Sequence, residues 1–241
     1  MKKIIFSLVF ILLSMVVFSQ DKFISPEIDL RYNKKTETIE ALKDVRDSVV
    51  CIIEEDKIIG TGIVYNKEGF IITNKHVVAD SKWESIKVLS FSEKLYDVEF
   101  IYLFEYADIA IIKIKVEKEN DLIPIRWGDS NDVRIGQDVY VMGHPLGFVW
   151  TVTKGSVGAI RRNLVDGVEF IHTDTLIMPG NSGGPVLNEK GEMIGLVSWG
   201  LGSAGTPVSP PTFIGVNFAL NSNLVRAVCE SFIRIYKILK Y

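Results

Sequence analysis

A glycine-rich turn around Ser182 is the part of this sequence best suited to covalent chemistry. The turn is Pro179–Pro185, with the sequence PGNSGGP, and it lies between two apolar runs. Its glycines allow backbone torsions that point several N–H groups into one concavity. Acyl transfer needs a nucleophile beside such a concavity, because the carbonyl oxygen gains negative charge during attack. Ser182 is the candidate nucleophile, and the N–H groups of Gly180 and Ser182 are the candidate oxyanion donors; an incidental serine in a β-turn is the alternative.

A serine hydroxyl is a weak nucleophile near neutral pH, so it needs a base and a carboxylate that orients the base. His76 follows the apolar run that begins at Phe70, at the end of a predicted strand. Asp108 comes directly before another very apolar strand, where a carboxylate is costly unless it is hydrogen-bonded. His76 is therefore the candidate base and Asp108 its orienting group. The other histidines, His144 in a turn and His172 in a strand, are rivals for the base.

Short apolar and β-branched runs divided by turn residues predict the elements that must position these groups. The first half of the chain predicts six strands, with a turn at Glu55-Asp56-Lys57: Val49–Glu54, Thr61–Tyr65, Phe70–Thr73, Ile86–Phe91, Tyr96–Phe104 and Ile109–Lys115. A polar connector at 117–134 separates them from six more: Asp138–Met142, Thr153–Arg161, Val168–His172, Gly184–Leu187, Met193–Ser198 and Phe213–Leu220.

Helical spacing appears twice outside these strands. A weak pattern joins Ile39, Leu42 and Val45, and a longer one runs from Ser222 to about Leu239, with Asn221 or Ser222 as its cap. Six strands, a connector, six strands and a helix point to two small barrels. Strand periodicity alone allows a single sandwich equally well.

The combined motifs resemble the protease domain of the HtrA/DegP family. His76 lies in TNKHVV, Asp108 in DIA and Ser182 in PGNSGGP, in the order His, Asp, Ser, and the similarity covers roughly residues 45–225. The resemblance implies an all-β fold of two six-stranded antiparallel β-barrels, chymotrypsin/trypsin-like, followed by a C-terminal helix. It also implies a serine endopeptidase with the triad between the barrels. The expected domains are a first barrel at 48–122, a second at 123–221 and the helix at 222–241.

Two features depart from the family. Only 21 residues follow Leu220, too few for a PDZ domain, so regulation by a peptide-sensing domain is not expected. The segment Ser198-Trp199-Gly200 is closer to the substrate-binding strand of the trypsin and chymotrypsin group. That likeness implies that Ser198 supports Asp108, that Trp199 covers the substrate and that Gly200 leaves the pocket open.

Specificity and activation are also predicted from single positions. The resemblance implies that the residue six before the nucleophile, here Leu176, is the floor of the primary pocket; without an acid there, an aliphatic P1 residue is favoured over Lys or Arg. Asn181 stands where trypsin-type zymogens place an acid. We therefore expect no zymogen switch beyond removal of a signal peptide.

The first nineteen residues have the layout of a secretory signal peptide. Lys2 and Lys3 precede the apolar run Ile4–Phe18, and compact residues lead to a cleavage site after Ser19. The run is short for a membrane span, although an uncleaved anchor is the alternative. A polar segment at 20–47 follows. The sequence thus predicts an exported bacterial protein, periplasmic or secreted, without stable membrane insertion after cleavage.

Composition excludes some partners and leaves others open. The net charge of −3 argues against nucleic acid, and polypeptides are the expected substrates. No metal and no cofactor is expected, and the oligomeric state is open. Cys51 and Cys229 are expected to be buried free thiols, with a disulfide as the alternative. Rival functions are a protease-fold peptide-binding module, an esterase or amidase, and a structural wall protein.

Overall fold

The structure, a computed structural model, describes residues 37–117, 122–162, 168–203 and 212–240. The predicted signal peptide lies outside these residues. Twelve antiparallel strands form two closed six-stranded barrels, as the sequence predicts, and the fold class is confirmed. A C-terminal helix follows the second barrel.

The first barrel closes in the order β1-β2-β3-β6-β5-β4. Its strands β1 to β6 are Val49–Glu54, Lys57–Val64, Phe70–Thr73, Ile86–Leu89, Leu95–Leu103 and Ala110–Ile114. Consecutive residues of β1, β3 and β6 are buried, although side chains alternate between the faces of a strand. In β3, for example, Ile71 fills the barrel interior while Phe70 and Ile72 pack outward in a different cluster. These strands are therefore buried on both faces.

The second barrel closes in the order β10-β11-β12-β9-β8-β7. Its strands β7 to β12 are Asp138–Gly143, Thr151–Arg162, Glu169–Thr173, Pro185–Leu187, Met193–Ser203 and Thr212–Asn221. Its interior holds residues such as Val141, Ile171 and Val197. A further apolar cluster joins Ile63 and Ile111 of the first barrel to Met142 and Leu196 of the second. Burial of this cluster fixes the two barrels against each other.

In the part of the chain that the structure describes, three α-helices accompany the barrels: α1 Glu37–Val45, α2 Lys75–Val78 and α3 Ser222–Leu239. The side chain of Asn221 accepts the N–H of Leu224, so Asn221 rather than Ser222 caps α3. On its buried face α3 contributes Val225, Cys229 and Ile233 to the cluster between the barrels. No helix of the described residues combines the length and hydropathy that a transmembrane helix requires.

Several strand ends differ from the sequence-based expectation for local reasons. Strand β2 begins at Lys57 rather than Thr61, because Glu55 and Asp56 alone form the hairpin turn, both with positive φ. Strand β11 continues past Ser198 to Ser203, paired with β12. The predicted domain boundaries remain predictions.

Both cysteines are buried free thiols, as expected. Burial raises the pKa of the Cys51 and Cys229 thiols, which keeps both in the unreactive protonated form.

Candidate active site

His76 and Asp108 meet because their strands are neighbours. Strand β3 pairs with β6, and Thr73 lies opposite Ala110. His76 follows β3 on the short helix α2, and Asp108 lies two residues before the start of β6. Asp108 Oδ2 lies 2.8 Å from His76 Nδ1, and Oδ1 accepts the backbone N–H of His76 at 3.0 Å. The carboxylate therefore fixes both the ring and the backbone of the histidine.

Ser198 provides a third hydrogen bond to the same carboxylate. Its hydroxyl donates to Asp108 Oδ2 at 2.7 Å. The register between β11 and β12 shifts here, since Val197 lies opposite Ala219 and Trp199 opposite Phe218. Ser198 is thus the extra residue of a β-bulge, a device that re-aims a side chain. The bulge turns the Ser198 hydroxyl of the second barrel towards Asp108 of the first.

These contacts determine the protonation of Asp108. Burial raises the pKa of the carboxyl, but the hydrogen bonds from His76 and Ser198 outweigh burial and hold the pKa below its ordinary value. An ionised carboxylate only accepts hydrogen bonds, so in the neutral ring the proton lies on His76 Nδ1. His76 Nε2 is left free to accept a proton, as a general base requires.

The turn that carries Ser182 is held at five consecutive carbonyl groups. Within the second barrel, Met178 O, Pro179 O and Asn181 O accept the N–H groups of Asn181, Leu146 and Gly184, respectively. Across the barrel boundary, Thr61 donates its hydroxyl to Gly180 O at 2.6 Å and its N–H to Ser182 O at 2.9 Å. The backbone of the turn is therefore fixed throughout.

Two glycines make this conformation possible. Gly180 and Gly183 have φ of +99° and +83°. A Cβ atom at Gly180 would lie 2.3 Å from His144 O, and one at Gly183 would lie 2.2 Å from Thr61 O. Any side chain at either position would therefore combine an unfavourable torsion with a backbone clash.

The predicted oxyanion donors remain available for a ligand. Among the hydrogen bonds of the described residues, none uses the N–H of Gly180 or of Ser182. In a trans peptide the C=O and the following N–H point in opposite directions. Pro179 O and Asn181 O both accept hydrogen bonds from the protein. The N–H groups of the same two peptides, those of Gly180 and Ser182, are therefore directed away from these donors. Gly180 and Ser182 also line one cavity.

That cavity has a volume of about 450 Å³ and is lined by residues of both barrels. His76 and Ser182 both face it, although no hydrogen bond joins the Ser182 hydroxyl to the ring among the described residues. Such catalytic hydrogen bonds are often long before substrate binds. The rest of the lining is mostly apolar: Ile59, Val77, Ile177, Met178, Pro179, Gly180, Ser198 and Trp199.

The predicted substrate-binding residues are placed differently from one another. Trp199 lines the cavity, 44% exposed, and stacks on Phe218 with ring centroids 4.2 Å apart. Gly200 follows it in β11. Leu176 is 53% exposed and is not among the cavity lining, whereas the next residue, Ile177, is buried and lines it. The role of Leu176 as the pocket floor stays a prediction, and Ile177 is the neighbouring residue that lines the cavity.

Neither rival histidine lines the cavity. His144 is fully buried, and burial lowers its pKa to about 3. His172 stacks on Phe218 within the second barrel. Among the described residues, no group of three or more His, Cys, Asp or Glu side chains could hold a metal ion.

Sequence reasoning missed the supporting residues Thr61, Asn74 and Ile177. Asn74 donates to the backbone carbonyl of Asp108 at 2.9 Å, and Thr61 holds the nucleophile turn. Asn74 lies in the motif TNKHVV, and Thr61 lies between Gly60 and Gly62. Their partners are distant in the chain, so the motifs alone did not reveal the contacts.

Comparison with known proteins agrees with this geometry. The family model for a trypsin-like peptidase domain matches residues 60–196. The chain is 35% identical over 183 residues to a probable periplasmic serine endoprotease DegP-like from Chlamydia trachomatis, covering 75% of this chain and 35% of the relative. A protein of the same description from Pseudomonas fluorescens is 38% identical over 168 residues, covering 69% of this chain and 33% of the relative.

Solved structures show the same fold. A variant of the HtrA-type protease AlgW with a tripeptide aligns with a TM-score of 0.68 at 26% identity, covering 81% of this chain and 63% of that one. The chain spans about a third of the length of the curated relatives named above. It belongs to the trypsin-like peptidase family and is a homologue of the DegP and HtrA proteases.

Proposed function

We propose that the chain is a serine endopeptidase that cleaves polypeptides through an acyl-enzyme intermediate. The observation that carries this proposal is the cavity lined by His76, Gly180 and Ser182, with the backbone N–H groups of Gly180 and Ser182 unused by the protein. Asp108 is hydrogen-bonded to the Nδ1 side of the His76 ring. His76 Nε2 would take the Ser182 proton as the hydroxyl attacks the scissile carbonyl. The N–H groups of Gly180 and Ser182 would stabilise the oxyanion, and His76 would then protonate the leaving amine. Water would release the acyl group by the same steps.

The edge of β11 supports an extended substrate. Strand β10 pairs with β11 no further than Leu196, so in the described register Trp199 to Ser203 have a strand partner, β12, on one side only. A peptide can add to such an open edge by main-chain hydrogen bonds. The apolar lining from Ile59, Ile177 and Met178 favours an aliphatic P1 side chain. Cleavage of a peptide library tests this preference, and a dominant basic P1 would refute it.

Active-site labelling tests the reaction itself. A fluorophosphonate probe should label the wild type and fail to label Ser182→Ala, and turnover of an unfolded protein should fall by about 10⁴ or more in the variant. Ser231→Ala is the matched control, because its hydroxyl bonds Ala227 O on α3, away from the cavity. No Ser182-dependent labelling would favour a peptide-binding module. Labelling with small-ester hydrolysis but intact protein substrate would favour an esterase.

We further propose that the enzyme is exported and degrades proteins outside the cytoplasm. The basic start and apolar run of the first nineteen residues support export, as do the relatives named periplasmic. Mass spectrometry of the protein recovered from cells tests it. A mature chain that begins at Gln20 is expected, and a cytoplasmic chain that retains Met1 to Ser19 would contradict it.

A further inference from the structure

Thr61 connects the first barrel to the nucleophile turn of the second. The residue belongs to β2 and is fully buried. Its hydroxyl donates to Gly180 O at 2.6 Å. A carbonyl can only accept, so this bond uses the one proton that a threonine hydroxyl has.

The same hydroxyl has a second partner, the buried ring of His144. His144 Nδ1 lies 2.9 Å from Thr61 Oγ1. Since the hydroxyl proton is already given to Gly180 O, the ring must be the donor, with its proton on Nδ1. His144 Nε2 is then an unprotonated acceptor, and it is buried without a partner in the described structure. The contacts therefore form a directed chain from His144 through Thr61 to Gly180.

The carbonyl at the end of this chain controls the oxyanion hole by its position. Gly180 O belongs to the peptide group between Gly180 and Asn181, which separates the two predicted donors, Gly180 N–H and Ser182 N–H. A rotation of that rigid, planar group would turn the backbone on both sides. Asn181 N–H holds the group at its other end through Met178 O at 3.0 Å. Thr61 supplies the only side-chain hydrogen bond to this peptide group among the described residues.

We propose that Thr61 and His144 are positioning residues that hold the middle peptide of the nucleophile turn, and thereby both oxyanion donors, in the competent orientation. This inference rests on the proposed peptidase function. Thr61 acts through its hydroxyl, and His144 acts by donating to that hydroxyl, which keeps the Thr61 proton directed at Gly180 O.

Paired substitutions separate positioning from packing. Thr61→Val keeps the shape and removes the hydroxyl, whereas Thr61→Ser keeps the hydroxyl. His144→Leu removes the donor, whereas the amide of His144→Asn can donate from nearly the same place. We expect kcat to fall by about 10- to 100-fold in Thr61→Val and His144→Leu, somewhat less than direct loss of a donor. KM should stay within about twofold, and Thr61→Ser and His144→Asn should retain most of kcat.

A transition-state analogue provides a second readout. The hemiacetal oxygen of a peptide aldehyde occupies the oxyanion hole, so its affinity should weaken in parallel with kcat in the two disruptive variants. Equal kcat for Thr61→Val and Thr61→Ser would overturn the inference while leaving the peptidase proposal intact. Absence of Ser182-dependent turnover in the wild type would overturn both the inference and the peptidase proposal.

The tautomer of His144 can be measured without activity and without a variant. Long-range ¹H–¹⁵N correlation on histidine-labelled wild type should show a neutral His144 ring protonated at Nδ1. A ring protonated at Nε2 would need the Thr61 proton for Nδ1 and would leave Gly180 O without its donor. That result would overturn the proposal even if the disruptive variants failed to fold.

Discussion

At the scale of single residues, Asp108 is where groups of both barrels meet in the candidate active site. It accepts hydrogen bonds from the backbone and ring of His76 and from the Ser198 hydroxyl, which belongs to the other barrel. Hydrogen bonds to a charged group are worth about 1.5–3 kcal/mol each. The orientation of the base therefore depends on the relative placement of the barrels as well as on local sequence.

Substitution Ser198→Ala tests this dependence. The variant loses a hydrogen bond to Asp108 worth about 1.5 kcal/mol, so His76 should be less well oriented and kcat should fall about tenfold. The Asp108 pKa is below its ordinary value partly through Ser198, so the carboxylate stabilises the fold above its unfolded pKa of about 3.9. That contribution is lost as the pH falls through the lower, folded-state pKa. The variant should therefore be less stable than wild type at pH 7, and the difference should shrink towards pH 2.

Urea unfolding of both proteins at several pH values measures the effect. A difference in unfolding free energy that stays constant from pH 7 to pH 2 would show that Ser198 contributes packing alone. A difference that grows in acid would contradict the assigned direction of the pKa shift.

The candidate triad was accessible from sequence because its residues lie in short, recognisable motifs. Thr61 and His144 were not accessible as supports, since their contacts join positions 83 apart in the chain and their value depends on burial. Leu176 is exposed and Ile177 is buried. Which of the two neighbours faces the cavity likewise depends on the direction of the backbone at these residues. Motifs thus indicate the candidate reacting groups, and three-dimensional contacts show which residues hold them in place.

At the scale of elements, the hairpin between β1 and β2 has a strained connection. Glu54 pairs with Lys57, so Glu55 and Asp56 form a two-residue turn, with φ of 47° and 63°. Two consecutive positive φ values are characteristic of a type I′ turn, which favours Asn-Gly or Asp-Gly. This turn has neither pair, and a non-glycine residue pays for the left-handed conformation at both positions.

Asp56→Gly should therefore stabilise the protein. The relief of left-handed strain exceeds the added flexibility of glycine in the unfolded chain, so a gain of about 0.5 kcal/mol is expected. Thermal unfolding measures it, and kcat should be unchanged because the turn does not line the cavity. Asp56→Ala is the control, since alanine keeps the strain; an equal gain from alanine would refute the explanation.

The strand elements were predictable because alternating and continuous apolar runs are strong signals. Their ends were less so, as β11 shows. The sequence pattern indicates a strand end at Ser198, yet β11 pairs with β12 as far as Ser203. The bulge that aims Ser198 at Asp108 depends on that pairing, and no local propensity encodes it.

At the scale of the whole molecule, α3 packs across the barrel boundary. It follows the second barrel, yet its aromatic residues pack on β3 and β5 of the first. Tyr236 lies 5.5 Å from Phe70 and 5.2 Å from Phe100, and Phe232 stacks on Tyr102 at 4.2 Å, all between ring centroids. Lys237 also pairs with Glu68. The helix thus adds to the apolar cluster that joins the barrels.

Phe232→Ala should weaken this connection. Full burial of a phenylalanine makes such a change cost about 3–5 kcal/mol, and this partly buried ring should cost about 2 kcal/mol. Urea unfolding measures the loss, and Ile238→Ala on the exposed side of α3 is the control, with little change expected. If both variants lost the same stability, the aromatic contact would not be what secures the helix.

Whether twelve strands form two barrels or one sandwich was beyond strand periodicity, since both architectures bury alternating faces. The resemblance to a known family decided it, and the sheet topology confirms the decision. The cluster between the barrels explains why periodicity failed. It buries the second face of β1, β3 and β6, so these strands are apolar at consecutive positions, with exceptions such as Lys113 in β6 and Glu54 at the end of β1.

The position of α3 in the chain also has a consequence for the order of synthesis. A polypeptide leaves the ribosome from its N-terminus, so both barrels emerge before the helix that packs across them. Until α3 is present, the first barrel lacks the aromatic contacts of Phe232 and Tyr236. We therefore expect this side of the first barrel, around Phe70 and Tyr102, to stay uncovered until α3 has emerged and packed.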